Sequence, residues 1–319
     1  MTEQAKRILA DFQVRKSFAG KRAFRAWLRA QLEGAGYTVT EERGLFSGTN
    51  LIAGETEGAR VLFTAHYDTC AVLPIPNFIT PRSLGWYLLY QLAIVAVFLL
   101  AVALVSVCAG VVGYLADLPV LVGMLPGWLT CLFLLWWMFF GRANRHTAND
   151  NTSGVITLLE AALALPSEER GGVCFVFFDN EERGLLGSSA FAGKHKELKR
   201  SALVVNFDCV SDGDSLQLFP TKALKGDPAA LEALERSFLP EDGKTVEVVR
   251  GFGFYPSDNL SFTRGVGVCA LKKGRRVGWY MDRIHTGRDT VFEEKNIALL
   301  VRGVLRLVWE MALCPGEKG

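Results

Sequence analysis

Two stretches of this chain, 84–116 and 118–141, contain no charged residue, whereas elsewhere apolar positions come in short runs and stripes. A helix needs roughly 20 apolar residues to cross a bilayer, and both stretches reach that length. Ala116-Asp117, followed by Pro119, suits a short turn between them. Trp86, Tyr87 and Tyr90 lie near one end of the first stretch, and Trp136 and Trp137 near the matching end of the second. Such aromatics favour headgroup depth. Pro126 should kink the second helix. Arg82 precedes the pair, Arg142 and Arg145 follow it, and the turn carries only Asp117. The bias of basic residues toward the inner side then puts both flanks in the cytoplasm. The pattern predicts a transmembrane hairpin over 83–141 that divides one catalytic domain into 1–82 and 142–319. The protein would be integral to the cytoplasmic (inner) membrane, with that domain facing the cytoplasm. A half-inserted hairpin or a pair of buried core helices would be the alternatives. Helices apolar on all sides for this length rarely find enough protein to bury them.

Outside the hairpin, 21–36 reads as an amphipathic helix with Phe24, Trp27, Leu28 and Leu32 on one face. Segments 37–40 and 50–53 read as short strands around a Gly-rich turn, and 61–65 as a buried strand. Asp150-Asn151-Thr152-Ser153 should open and cap a helix running to 165. Further strands are expected at 173–178, 202–207 and 266–271, and helices at 184–194, 229–238 and 296–313. Apolar strands alternating with helices imply an α/β three-layer sandwich with a mostly parallel mixed sheet. Ligands of such sheets gather at the carboxyl ends of strands. His66, the run Asp179 to Glu182, and Asp208 each follow a strand directly.

Composition narrows the picture. The net charge of +2 over 319 residues, with no basic stripe, argues against nucleic acid as a partner. Without the hairpin about 260 residues remain, enough for one α/β domain with a large core. Residues 1–16 are polar and lack the apolar core of a signal peptide. The seven cysteines (70, 108, 131, 174, 209, 269 and 314) form no CxxC pair, which fits reduced cytosolic thiols better than a disulfide framework. Nothing in their spacing supports zinc ligation by cysteine.

The chemistry-bearing segments are Ala65-His66-Tyr67-Asp68-Thr69, Asn149-Asp150-Asn151-Thr152-Ser153-Gly154, Asp179-Asn180-Glu181-Glu182-Arg183-Gly184-Leu185-Leu186-Gly187-Ser188, Asn206-Phe207-Asp208 and His285-Thr286-Gly287-Arg288-Asp289-Thr290. Each alone is weak. A histidine after a strand is usually a polar cap, paired glutamates a solvated pair, and Asp150 a carboxylate favoured by a helix dipole. Asp208 alone could accept hydrogen bonds from a loop, and His285 alone would be structural.

Together, and in this order, they resemble the M28 family of zinc exopeptidases, the two-zinc aminopeptidases. That family's pattern runs HxD, D-N/D-x-S-G, EExGLxGS, a strand-end Asp, and HTxxDT. The resemblance covers nearly all of the chain outside the hairpin. It implies that Asp150 bridges two zinc ions, that His66 and Asp208 complete one site, and that Glu182 and His285 complete the other. It implies Glu181 as general base, and Asp68 and Asp289 as partners of the second nitrogen of the ligating histidines. Four carboxylates crowded together would repel one another without cations. Two departures concern the substrate side. Ile284 stands where the family often has a tyrosine that helps polarise the carbonyl, leaving Tyr280 or Tyr255 as substitutes. Ser257-Asp258-Asn259 stands where many relatives have Ser-Asp-His. His146, expected near the membrane interface, and His195, at a helix end, match no ligand position. The resemblance implies a zinc metallopeptidase that acts on the N-terminal bonds of peptides, and the hairpin would anchor it, with membrane lipid around 84–140. A glutaminyl-cyclase-like transferase with one zinc, and a non-catalytic receptor or scaffold, are the alternatives.

Overall fold

A computed structural model describes residues 1–73, 75 and 77–313, so Cys314 lies outside the described residues. Helices α1 (Glu3–Asp11) and α2 (Phe18–Gly34) open the chain, their first turns capped by the hydroxyls of Thr2 and Ser17. Strands β1 (Val39–Gly44), β2 (Gly48–Ala53) and β3 (Val61–His66) follow, and then the apolar helices α3 (Leu84–Leu115) and α4 (Val120–Phe140). The chain resumes with α5 (Gly154–Ala164), β4 (Val173–Phe178), α6 (Leu186–Lys194), α7 (Lys196–Ser201), β5 (Leu203–Phe207) and β6 (Ser215–Pro220). It ends through α8 (Lys222–Lys225), α9 (Pro228–Ser237), β7 (Thr245–Val248), β8 (Gly265–Gly274), β9 (Gly278–Tyr280) and α10 (Glu294–Leu313).

The strands form one sheet in the order β1-β2-β4-β3-β5-β8-β6-β7, with β9 added to β8. The central four, β4-β3-β5-β8, are parallel. The β1–β2, β2–β4, β6–β8 and β8–β9 pairs are antiparallel and the edge pair β6–β7 is parallel, so the sheet is mixed, with the expected parallel character strongest in its middle. Buried on both faces, the central strands read as unbroken apolar runs, Val173-Cys174-Phe175-Val176-Phe177-Phe178 above all. Alternation sorts them into two layers. Val61, Phe63 and Ala65 pack with Phe24, Leu28, Leu158 and Leu300 on one face. Leu62, Val176 and Phe178 pack with Phe191 and Phe262 on the other.

The apolar pair leaves this sandwich. Within its most apolar window α3 buries none of its residues and α4 buries 6%. The buried-core alternative is thereby contradicted, because no protein covers these helices. They pack on each other through small residues, as helices do where no hydrophobic force drives them together. A Cβ on Gly113 would lie 3.2 Å from the Gly123 Cα, and one on Gly127 would lie 1.9 Å from the Ser106 Oγ. Helix α4 continues through Pro126. With 32 residues, α3 is about 48 Å long, against a hydrocarbon core of about 30 Å. Its first turns dock on the sandwich. The Trp86 Nε1 donates to the Arg276 carbonyl at 3.2 Å, and the rings of Tyr87 and Tyr90 meet those of Phe254 and Phe78.

Candidate active site

Because β3 aligns with β4 and β5, His66, Phe178 and Phe207 bring the loops after them to one edge of the sheet. Asp150 reaches this edge from the loop before α5, and His285 from the loop after β9. All the residues expected as metal ligands meet there. The His66 Nε2 lies 3.5 Å from Asp150 Oδ1 and 3.4 Å from Asp208 Oδ1. The His285 Nε2 lies 3.0 Å from Asp150 Oδ2 and 3.2 Å from Glu182 Oε2. The Glu181 carboxylate is 3.9 Å from His66. Asp150 thus turns one oxygen to each half of the cluster.

The supports are mostly polar side chains bonding backbone. Asp150 and Asn151 are not helical, and α5 begins only at Gly154. Asn151 caps the first residue of α5 as expected, and the asparagines of this run make tertiary contacts as well. The Asn151 Nδ2 donates to the Phe207 carbonyl at 2.9 Å, and its Oδ1 accepts from Gly154 N at 3.0 Å. Only glycine fits at 154, since a Cβ there would sit 2.3 Å from both Asn151 Oδ1 and the Phe207 oxygen. The expectation for Asp289 is corrected. It bonds no histidine nitrogen, and accepts instead from Asn149 N at 2.7 Å and Asp150 N at 2.9 Å. Burial, then the nearby Asp150, raises its carboxyl pKa to about 8. The His66 Nδ1 lies 3.2 Å from the Asp68 carbonyl and 3.5 Å from its carboxylate, which also accepts from the amides of Glu181 at 3.0 Å and Glu182 at 3.3 Å. Asp179 turns away, into a buried ion pair with Lys21. His285 (φ 60°) and Cys209 (φ 57°), next to Asp208, are held in the left-handed region. Such conformations cost about 1–3 kcal/mol and persist where the surroundings dictate them.

The electrostatics are lopsided. Burial works against charge on His66 and His285, yet the surrounding carboxylates hold both imidazoles well above their ordinary pKa. Asp150 is lowered despite burial, by hydrogen bonds from His285 and His66. Burial raises Glu181, with Asp208 and Glu182 adding to the effect. Carboxylate and imidazole donors around a shared aspartate are a set that fits catalytic zinc. The Glu182 Oε1 is buried without a hydrogen-bond partner, the kind of orphaned oxygen that a cation would satisfy. The Cys70 thiol joins the group of Asp150, Glu182 and His285, with ligand atoms all within 4.8 Å of one another. Cysteine spacing gave no sign of this, because the contact is tertiary.

A cleft of about 240 Å³ opens on the cluster, lined by Glu181, Asp208, Ile284 and His285 together with Tyr87 and Tyr255. The Tyr255 hydroxyl is spent on the Asp208 carbonyl at 3.1 Å. Tyr280 packs on Phe78 and lies outside the cleft lining. Tyr87, from the first turn of α3, was not foreseen as a cleft residue. Ser257 holds Asp208 through a 2.7 Å bond to Oδ2, and buried Asp258 has neither oxygen hydrogen-bonded. Arg15, fully buried and also missed, bonds the Tyr67 carbonyl and the Thr152 hydroxyl, tying the His66 strand end to the Asp150 loop. His195 pairs with Glu42 at 2.8 Å, away from the cluster.

The sequence pattern of Peptidase family M28 matches residues 138–305, just over half of the chain. The chain belongs to peptidase family M28. Aminopeptidase YwaD of Bacillus subtilis (strain 168) is 34% identical over 124 residues, covering 37% of this chain and 24% of that protein. The chain therefore spans about a quarter of the length of this curated relative. Among solved structures, a zinc-dependent exopeptidase from Parabacteroides distasonis superposes with a TM-score of 0.60 at 15% identity, covering 96% of this chain and 97% of that one. Porphyromonas gingivalis glutaminyl cyclase gives 0.60 at 17% identity, covering 96% of each chain. Legionella pneumophila LapA aminopeptidase gives 0.58 at 15% identity, covering 97% and 70%. These likenesses fix the fold, the M28 sandwich, and do not separate peptidase from cyclase.

Proposed function

We propose that this M28 protein is a membrane-anchored zinc aminopeptidase with a two-metal centre. The observation that carries the reading is Asp150, with one carboxylate oxygen toward His66 and the other toward His285. Asp150 would hold both ions, with His66 and Asp208 completing one site and Glu182 and His285 the other. Zinc bound there supplies positive charge that polarises a peptide carbonyl and makes water acidic near neutral pH. Glu181, half-buried in the cleft lining and raised in pKa, is suited to take the proton of the attacking water and pass it to the departing amine. Asp68 is a positioning residue, because it grips both the His66 ring and the Glu181–Glu182 backbone. Peptides with a free N-terminus are the substrates.

On this reading 83–141 spans the inner membrane as a hairpin, and 1–82 with 142–319 make the cytoplasmic catalytic domain. The hairpin base flanks the centre on two sides. Tyr87 lines the cleft, and Met138 and Phe139 line a smaller cavity of about 80 Å³ that reaches Glu182 and His285. This supports a cleft close to the membrane surface, with the hairpin forming part of its wall.

Metal analysis of purified, active protein, together with digestion of a peptide library, tests the proposal. Two zincs per chain and release of N-terminal residues are expected. One tightly bound zinc, with cyclisation of N-terminal glutamine, would favour the cyclase-like alternative that the full-length likeness to the Porphyromonas enzyme keeps in view. Metal binding without turnover of any peptide would favour the scaffold.

A further inference from the structure

A wide groove shares no lining residue with the catalytic cleft, though Lys16, Lys21, Phe139 and Arg183 also line the small cavity that reaches Glu182 and His285. The groove encloses about 700 Å³ where the end of α4 meets the sandwich, and Phe139 and Phe140 form part of its wall. Three of the most exposed apolar residues of the sandwich share it. Phe18 at the start of α2 is 76% exposed, and Leu45 and Phe46 in the β1–β2 turn are 91% and 74% exposed. Exposed apolar residues scattered singly need no explanation, but a patch rimmed by charge marks an interaction site.

The charge in the groove is basic. Lys21 is neutralised by Asp179, and Arg43 pairs with Glu41 at 2.9 Å. Lys16 and Arg183 also line the groove, and among the described residues neither is in an ion pair. The Lys16 Nζ donates to the Phe139 carbonyl at 2.6 Å, and the Arg183 guanidinium lies 5.3 Å from the centre of the Phe140 ring. Both cations are therefore fixed at the last residues of α4. Burial, then the like charge of Arg183, depresses the Lys16 pKa, against the opposing pull of Glu182 and Asp68.

Depth decides the occupant. If α4 crosses the bilayer, its end at Phe140 sits at headgroup level. The groove then faces lipid, with aromatic and aliphatic side chains at the height of the upper acyl chains and paired cations at the height of the phosphates. We propose that this groove binds an anionic phospholipid of the inner leaflet, with Lys16 and Arg183 on its phosphate and Phe18, Leu45 and Phe46 against its chains. The inference rests on the spanning topology proposed above.

The test uses the full chain in detergent, titrated with phosphatidylglycerol or phosphatidylcholine and read by native mass spectrometry. Preferential retention of one phosphatidylglycerol per chain is expected. A basic residue near an anionic surface contributes about 1 kcal/mol. The double variant Lys16→Gln/Arg183→Gln should therefore retain that lipid roughly 30-fold more weakly, at 1.4 kcal/mol per tenfold. Leu45→Ser/Phe46→Ser, both solvent-exposed and safe for folding, should weaken retention severalfold. Equal retention of the two lipids, unchanged retention in the double variant, or displacement by excess inorganic phosphate alone would overturn the inference. Alkaline carbonate extraction of the chain from liposomes separates the two readings. Release into the supernatant removes the spanning topology and the groove proposal with it, whereas firm embedding without lipid preference removes only the groove proposal.

Discussion

Asp68→Asn probes the supporting layer of the centre without touching a proposed ligand. Asp68 is 2% exposed and accepts two backbone N–H bonds, from Glu181 and Glu182, while standing 3.5 Å from the His66 Nδ1. Asparagine has the same shape but one acceptor oxygen and no charge. Its NH₂ must face one of the two amide donors or the imidazole, leaving a buried N–H unsatisfied at a cost of about 1–3 kcal/mol. The same change loosens the orientation of His66 and of the turn that aims Glu181. Loss of such outer partners typically lowers metal affinity or activity about 10–100-fold. The expected result is a folded protein, destabilised by about 1–3 kcal/mol, with kcat/KM down by one to two orders of magnitude. Zinc should also be lost to a competing chelator at lower chelator concentration. Asp68→Ala, which leaves both amides unpaired, should be worse on every measure. Chelator competition, thermal unfolding and peptide hydrolysis on one preparation give the three readings. Unchanged kcat/KM and zinc retention in Asp68→Asn would refute the positioning role and leave Asp68 as a fold residue only.

Glu181→Gln should keep its metal yet lose about 10²–10⁴-fold or more in kcat, measured on a fluorogenic aminoacyl substrate, because the proton acceptor is gone; near-normal turnover at normal zinc content would show that the base is another group. Asp150→Ala should deplete both metal positions, whereas Asp208→Ala should deplete mainly one, as read by metal stoichiometry after dialysis; equal depletion by the two changes would deny Asp150 its bridging place. Replacing Ser83–Phe140 with a short Gly/Ser linker should give a water-soluble protein that still binds zinc, since the segment contains no proposed ligand. That form should show altered preference for peptide length or hydrophobicity, because it lacks Tyr87, and an unchanged profile on a peptide library would make the hairpin an anchor alone.

The central fold was legible because its strands are unbroken apolar runs whose ends carry His66, the Glu181–Glu182 pair and Asp208. The two apolar helices were legible from the absence of charge over more than a bilayer's thickness. Helix α1 escaped notice because charged and polar residues dominate it, and its apolar side is only Ala5, Ile8 and Leu9. Asp150 looked like a helix opener, since nothing local shows that Asn149, Asn151 and Asp289 hold its loop against distant backbone. Arg15 in the core, Cys70 beside the proposed ligands and Tyr87 in the cleft share one reason for being missed. Each acquires its meaning from a neighbour far away in sequence. The basic groove at the foot of α4 is of the same kind, assembled from α2, the β1–β2 turn, α4 and the Arg183 turn.

The position of the hairpin within the chain has a consequence for biosynthesis. His66 and Asp150 are separated by about 80 residues, and most of the gap is hairpin. At about 5–20 residues per second, a ribosome needs roughly 4–16 s to pass from one to the other. On the proposed topology both helices must partition into lipid during that interval. The hairpin thus leaves the ribosome ahead of Asp150, so on this topology delivery to the bilayer begins before the set of metal-binding side chains is complete.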